Sequence, residues 1–255
     1  MINSLFIAET GLNAQKTLVD VISNNIANVN TSGFKRSSVN FVDLIYKNDS
    51  TGATNSSTTE SSRGVHVQNI SEDLSVGKLK FTQHPFDVAI DGPGFIPVEN
   101  GNNGTAYTRL GRLAIDSDGY LQTQQGHRLS ANISISPDLS EVVIENNGTV
   151  IGRVAGSAET VELGTIELVS FTNASGLEKQ DSGIYLATED SGDVIYGMPG
   201  EDGFGNIRQG YTEESNVSLV EEMVNLVMAQ RGYQLNARVI QVSDQLLETI
   251  NNLRR

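Results

Sequence analysis

Residues 218–247, SLVEEMVNLVMAQRGYQLNARVIQVSDQLL, form the stretch that decides the fold of this protein. Apolar positions recur there at alternating spacings of three and four, which is the repeat of an α-helix with a coiled-coil seam. A second apolar stripe runs beside the first and includes Val239, Val242 and Leu246. Two adjacent stripes are more apolar surface than one partner helix covers. The stretch therefore predicts a long helix that packs against several others, most economically those of neighbouring copies.

Residues 5–29 repeat this spacing near the amino terminus, with Gln15 as a polar interruption of the seam. The segment SNNIANVNTSGFKR at residues 23–36 is rich in asparagine, which is a poor helix former because its amide competes for backbone hydrogen bonds. We expect these amides to bond to neighbouring copies or to the chain's own turn at residues 30–33, because an amide crosses a boundary without burying a charge. The alternative is that the asparagine run frays the helix toward Gly33.

Proline and glycine are distributed unevenly along the 255 residues. Residues 1–46 and 216–255 contain no proline and three glycines, whereas the middle contains all five prolines and the other 22 glycines. This pattern favours an α+β protein, with terminal α-helices forming a coiled coil around a mainly antiparallel β interior. The predicted organisation is terminal helices at 1–46 and 216–255, a flexible linker at 47–64 and a β-rich region of one or more domains at 65–215.

The interior shows short strand patterns separated by turn residues. FDVAIDGPGFIPV at residues 86–98 predicts a strand, a Gly-Pro-Gly turn and a second strand. AYTRLGRLAIDSDGYLQT at residues 106–123 predicts two strands joined by Asp118-Gly119, which is a strong hairpin signal. Residues 50–62 contain nine Ser or Thr and no large apolar side chain, and such a composition is typical of a flexible connector.

Composition and motifs argue against several classes of function. A formal net charge of −14 disfavours nucleic-acid binding, and no apolar run approaches the roughly 20 residues that a membrane-spanning helix needs. Cysteine is absent, and the three histidines, His66, His84 and His127, do not stand at metal-ligand spacing. We therefore predict no enzymatic activity, no catalytic residue, no cofactor and no metal site. The start of the chain lacks a basic and a long apolar region, so no cleavable signal peptide is expected.

Several longer motifs occur in one order along the chain. They are NNIANVNTSGFKR at 24–36, DVAIDGPGF at 87–95, YTRLGRLAIDSDGYL at 107–121, ESNV at 214–217, EEMVNL at 221–226 and QRGYQLN at 230–236. In these motifs the chain resembles the bacterial flagellar rod and hook family, and most closely its distal-rod members. The likeness is close at both ends and looser in the middle.

The resemblance implies a structural subunit of the flagellar basal-body rod. Terminal helices in that family form an inner coiled-coil tube, and the β region forms outer domains. The implied partners are further copies of the chain in a helical polymer, other rod and hook subunits, and the flagellar type III export apparatus, which passes the chain without a cleaved signal peptide. The implied location is the rod, which crosses the periplasm and transmits motor torque to the hook.

Together with the apolar stripes, the resemblance predicts a subunit interface on the terminal helices. Its predicted residues are Leu5, Leu12, Val19, Ile22, Asn24, Asn25, Ile26, Asn28, Leu219, Met223, Leu226, Tyr233, Val239, Ile240, Val242, Leu246 and Leu247.

Two alternatives to the distal rod stay open. The stretch after DLIY at 43–46 is Ser/Thr-rich and lacks an element typical of distal-rod members, which leaves a proximal-rod or hook relative, or a lateral-flagellum version, as a second interpretation. A secreted β-rich carbohydrate-binding surface protein is the third, although a chain with no tryptophan and 6% aromatic residues offers little material for an aromatic platform.

Overall fold

The computed structural model of the protein describes residues 2–46, 61–101, 104–156, 159–180, 183–201 and 203–253. These residues divide into two compact units. The helical unit comprises the described residues within 1–28, 36–73 and 217–255, and the β unit comprises those within 29–35 and 74–216. The chain thus enters the β unit twice.

The helical unit contains two helices and one long hairpin. Helix α1 spans Ile2–Ala27, helix α2 spans Leu219–Leu253, and strands β1 (Ser37–Tyr46) and β2 (Ser61–Glu72) pair as an antiparallel ladder. Both strands pack against α1. Glu221 and Glu222 lie in the first turn of α2, where negative charge is favourable to the helix dipole.

The structure differs from the sequence expectation in the segment that follows α1. Residues 37–46 form a strand and not a continuation of the terminal helix, because SSVNFVDLIY is rich in β-branched and aromatic side chains that suit a pleated surface. The predicted linker at 47–64 falls mainly outside the described residues, and its last part, from Ser61, belongs to β2.

Antiparallel strands make up most of the β unit. The strands are β3 (Leu79–Phe81), β4 (Val88–Asp91), β5 (Ile96–Asn100), β6 (Gly104–Thr108), β7 (Leu113–Ile115), β8 (Leu121–Thr123), β9 (Leu139–Ile144), β10 (Thr149–Val154), β11 (Thr160–Thr165), β12 (Leu168–Phe171), β13 (Glu178–Gln180), β14 (Ile184–Leu186), β15 (Val194–Gly197), β16 (Asn206–Gln209) and β17 (Tyr211–Glu213). Their pairings form one four-stranded sheet (β13-β14-β6-β5), one three-stranded sheet (β11-β10-β9) and several two-stranded ladders (β12-β15, β16-β4, β17-β3 and β7-β8).

Turn residues in the β unit act as the sequence predicts. Strands β4 and β5 flank the Gly-Pro-Gly turn, in which Gly92 has a φ of 138°. Strands β7 and β8 pair across Asp118-Gly119, and Gly119 has a φ of 88° that few other residues adopt. The mixed fold of helices and antiparallel sheets is confirmed. The coiled coil stays a prediction.

The core of the β unit consists of aliphatic side chains from most of its strands. Val98, Val150, Leu168 and Ile207 lie within it with no exposed surface. A smaller aromatic cluster lies beside β5 and β12, where Phe95 and Phe171 meet edge to face with ring centroids 5.8 Å apart. Edge-to-face pairing of this kind adds stability beyond the area buried.

Candidate subunit interface

Helices α1 and α2 pack closely and in opposite directions. A side chain at Gly11 would meet Asn236, with a Cβ only 2.7 Å from Nδ2, and a Cβ at Gly232 would lie 3.1 Å from Cδ of Gln15. Both pairs belong to one antiparallel register. The residue number on α1 rises by four from Gly11 to Gln15, while the number on α2 falls by four from Asn236 to Gly232. A Cβ at either point would displace the end of the facing side chain, so the two helix surfaces approach closely here.

The side chains that α1 and α2 bury in their mutual seam or against β1 and β2 are mostly small. Ala8, Ala14, Ala229 and Ser243 are at least 93% buried, and Ile22 is the one large apolar side chain of the described helical residues that is buried to this degree. Side chains of this size let neighbouring elements approach closely, although little apolar surface is removed from water.

The large apolar side chains of α2 lie mostly outside this seam. At least 36% of each remains exposed in Leu219, Val220, Met223, Val224, Val227, Met228, Tyr233, Leu235, Val239, Val242, Leu246, Leu247, Ile250 and Leu253. Exposure reaches 73% in Val220 and 82% in Leu253. Single exposed apolar side chains are ordinary on protein surfaces, but so many on one helix are unusual.

Helix α2 also extends beyond the start of α1. The register of the two glycine contacts places Ile2, the first residue of α1, opposite Gln245. Residues 246–253 of α2 therefore continue for about 12 Å, at 1.5 Å per residue, without α1 beside them.

The structure places the predicted interface residues in three groups. Of those on α2, Leu226 and Ile240 are partly covered and the other seven are exposed. Of those on α1 or just after it, Leu5, Leu12, Val19, Ile26 and Asn28 are partly covered, and Asn24 is exposed. Ile22 and Asn25 are buried within the helical unit itself.

The hydrogen bonds of Asn25 explain why an asparagine, a poor helix former, is present at this position of α1. Its Nδ2 donates to the carbonyl oxygen of Ser37 over 2.8 Å, and the Ser37 backbone N–H donates to its Oδ1 over 3.0 Å. The amide thus pairs with the first residue of β1 as a neighbouring strand would. This corrects the expectation that Asn25 bonds to a neighbouring copy or to the turn at 30–33. Asn28 donates from Nδ2 to Asn24 in the preceding helical turn.

The β unit contains a buried ion cluster that the sequence pattern did not predict. Glu213 accepts from Lys35 Nζ over 2.6 Å and from Arg109 Nε over 2.9 Å, and all three side chains are at least 97% buried. The backbone N–H of Gly77 donates to the same carboxylate over 2.7 Å. Arg109 donates to the carbonyl oxygens of Gly92 and Gly94, and Lys35 donates to that of Ser75.

The environment of Glu213 keeps its carboxylate ionised. Burial raises the pKa of Glu213, but the charges of Arg109 and Lys35, with hydrogen bonds from Lys35 and Gly77, outweigh it and hold that pKa below its usual value. The cluster joins four segments that are distant in sequence: residues 33–35, the loop at 75–77, the end of β6 and the end of β17. Each residue alone has an ordinary sequence context, which explains why no local pattern revealed it.

Within the described residues no three carboxylate or imidazole side chains are grouped to hold a metal ion. No helix in this part of the chain is long and apolar enough to cross a membrane. Asp116 and Asp118, which resemble part of a calcium loop, both bond to Arg128.

Three family models match the chain at separate places. The model for the C-terminal part of the flagellar basal body rod FlgEFG proteins matches residues 208–253. The D1 domain of the flagellar hook protein FlgE/F/G matches residues 89–152, and the flagella basal body rod protein model matches residues 5–35. The region at 208–253 contains all of α2, and the region at 5–35 contains most of α1.

Curated relatives match over the whole length. The flagellar basal-body rod protein FlgG of Buchnera aphidicola subsp. Schizaphis graminum is 40% identical over 99% of this chain and 100% of its own. The protein of the same name from Borreliella burgdorferi is 38% identical over 100% of both chains. The flagellar hook protein FlgE of Salmonella typhimurium is 44% identical, but over 46% of this chain and 29% of its own. The chain belongs to the family of flagellar basal-body rod proteins.

Proposed function

We propose that the chain is a structural subunit of the distal rod of the bacterial flagellar basal body. Full-length similarity to proteins named FlgG supports the rod over the hook, because the hook protein matches less than half of the chain. In this role the subunit polymerises into a helical shaft that transmits motor torque to the hook, and it acts as structure and not as an enzyme.

The single observation that carries the proposal is the exposed apolar surface of α2. A helix that leaves side chains such as Val220, Leu235 and Leu253 more than 60% exposed gains little stability from its own unit. Covering each of these side chains on assembly contributes about 1–2 kcal/mol, since full burial of a Val or Leu side chain is worth about 1.5–3 kcal/mol. Neighbouring subunits that cover this surface make the polymer far more stable than the separate chain.

The terminal helices are the elements that we assign to the axial interface. In the polymer, α1 and α2 of successive copies form an inner coiled coil, and the β unit lies outside it. Other rod and hook subunits join the ends of this polymer. The subunit travels through the flagellar type III export apparatus and reaches the rod without a cleaved signal peptide.

Replacing Leu246 by Asp tests the interface, because its side chain is 52% exposed and a carboxylate there would be buried on assembly. The variant is expressed in the parent bacterium after deletion of the native gene. We expect it to keep the folded β unit and to be secreted, but to abolish rod growth and swimming. Val161→Asp is the matched control, since this side chain is 47% exposed on β11 of the β unit and should tolerate the charge.

Swimming speed, secreted subunit and purified basal bodies are measured for both variants. Normal swimming with the Leu246→Asp subunit present in the rod would show that this face of α2 meets water. The assignment of α2 to the interface would then be wrong.

A further inference from the structure

A groove lies in the helical unit between α1, the first half of α2 and the start of β1. Its volume is about 380 Å³. Leu18 and Val21 of α1 and Met228 of α2 form apolar walls, and amides of Asn25 and Asn225 add polar groups. Arg36 and Glu222 also line it, with Arg36 Nε 3.8 Å from a Glu222 carboxylate oxygen, so their charges offset each other. The groove therefore suits apolar and amide-bearing side chains of an occupant.

The side-chain amide of Gln15 brings a buried hydrogen-bond acceptor without a partner to this groove. The side-chain oxygen Oε1 of Gln15 is the one buried side-chain N or O atom in the described part of the chain that has no hydrogen-bond partner. Leaving a buried acceptor unpaired costs about 1–3 kcal/mol. The Gln15 amide lies over Gly232 and lines the groove, and the last torsion of a glutamine side chain is soft enough to turn the oxygen toward it.

A segment with the matching chemistry lies at the far end of α2. Residues 246–253, LLETINNL, extend beyond α1 and carry the exposed side chains Leu246, Leu247, Ile250 and Leu253. Asn251 and Asn252 lie among them and supply amide donors, and Glu248 is the one charged residue of the segment. Apolar side chains with neighbouring amides thus face water at one end of α2, while an apolar groove with an unpaired amide oxygen lies near the other end.

We propose that residues 246–253 of one copy seat in the groove of a second copy, with Leu253 against Met228 and an asparagine amide donating to Gln15 Oε1. This contact rests on the proposed rod function and deepens it by naming a donor and an acceptor surface. The two surfaces differ, so the contact is heterologous and does not close on itself. Repetition of such a contact generates an open helical polymer.

A cysteine pair tests the contact directly, because the chain contains no cysteine of its own. Met228 and Leu253 lie 25 residues apart on one helix, about 37 Å, so a disulfide between them within one copy is impossible. Basal bodies that contain the Met228→Cys/Leu253→Cys subunit are purified from the parent bacterium and oxidised. We expect a ladder of covalent multimers on non-reducing gels. Each single variant should give no product larger than a dimer.

Met228→Cys/Leu235→Cys is the matched control. Leu235 is 65% exposed on the same helix but lies outside residues 246–253, and it is too far along the helix from Met228 to bridge within one copy. An equal ladder from this control would overturn the proposal, because the crosslinks would then report random collision. Intact rods of the Met228→Cys/Leu253→Cys subunit without any ladder would overturn it as well, while the rod function would stand. Failure of the unsubstituted chain to enter a rod would refute both the proposed contact and the proposed rod function.

Gln15→Leu separates a contact between copies from a role within one copy. The variant removes the unpaired acceptor, so the separate chain should become more stable, as seen in a higher midpoint of helix melting. Assembly should become weaker, with about threefold to tenfold more subunit needed for polymerisation, as expected for the loss of one hydrogen bond. Gln230→Leu on the exposed surface of α2 is the control. Unchanged or stronger assembly with Gln15→Leu would contradict the proposed role of the amide.

Discussion

Replacing Glu213 by Gln tests the buried ion cluster, with almost no change in side-chain volume. The carboxylate accepts from Lys35 Nζ, Arg109 Nε and the Gly77 N–H, all within 2.9 Å. A glutamine amide would have to point its NH₂ group at one of these donors, and two buried cations would lose their counter-charge. Removing one partner of a buried ion pair typically costs about 3–5 kcal/mol, so we expect a loss of this size in the free energy of unfolding of the β unit.

Urea unfolding of the purified full chain, followed by tyrosine fluorescence, measures the loss. Five of the seven tyrosines lie in the β unit, so the signal reports mainly on it. Asp91→Asn is the matched control, because Asp91 pairs with Arg208 over 2.7 Å while both side chains stay at least 41% exposed. An exposed pair contributes about 0–1 kcal/mol.

The pH dependence provides a second readout. Since the pKa of Glu213 is lowered in the folded state, its stabilising effect is complete above the pKa of an unfolded glutamate, about 4.3, and is lost as the pH falls through the lower folded value. The difference between wild type and Glu213→Gln should therefore be full at pH 7 and shrink progressively in acid. A difference of less than about 1 kcal/mol at pH 7, equal to that of the control, would refute the reasoning.

Two further changes test close packing and the asparagine contact. Gly111→Ala should prevent folding of the β unit, because the added Cβ would lie 1.5 Å from the carbonyl oxygen of Val88. Gly101→Ala is the control, since its Cβ meets nothing within 4 Å. Soluble yield and tyrosine fluorescence compare the two variants, and a folded Gly111→Ala chain would contradict the packing. Asn25→Ala should destabilise the helical unit by about 2–3 kcal/mol, because it leaves a backbone N–H and a C=O without their partners, while exposed Asn24→Ala should change little. Circular dichroism during thermal melting measures both, and equal melting temperatures would count against the Asn25 pairing.

Local patterns in the sequence determined the element types over most of the chain. The alternating spacing of three and four predicted both terminal helices. Asp118-Gly119 predicted a hairpin, and the Gly-Pro-Gly turn at 92–94 predicted a break between two strands of the β unit. These signals succeed because helix periodicity and positive φ angles are properties of a few neighbouring residues. The strand at 37–46 carried such a signal too, in its β-branched and aromatic residues, but the absence of proline from residues 1–46 favoured helix.

Only the tertiary structure decided which face of each helix meets its partner in the same copy. The spacing predicted two apolar stripes on α2. Within one copy the most buried side chains of the two helices include Ala8, Ala14 and Ala229, whereas large side chains of both stripes, such as Leu246 and Leu247, stay exposed. Periodicity reports that a face is apolar but not what covers it. The contacts of Gly11 with Asn236 and of Gly232 with Gln15 fix the register of the two helices, and no local pattern announces them. The ion cluster of Glu213 likewise depends on residues 104 and 178 positions away, which folding alone brings within hydrogen-bond distance.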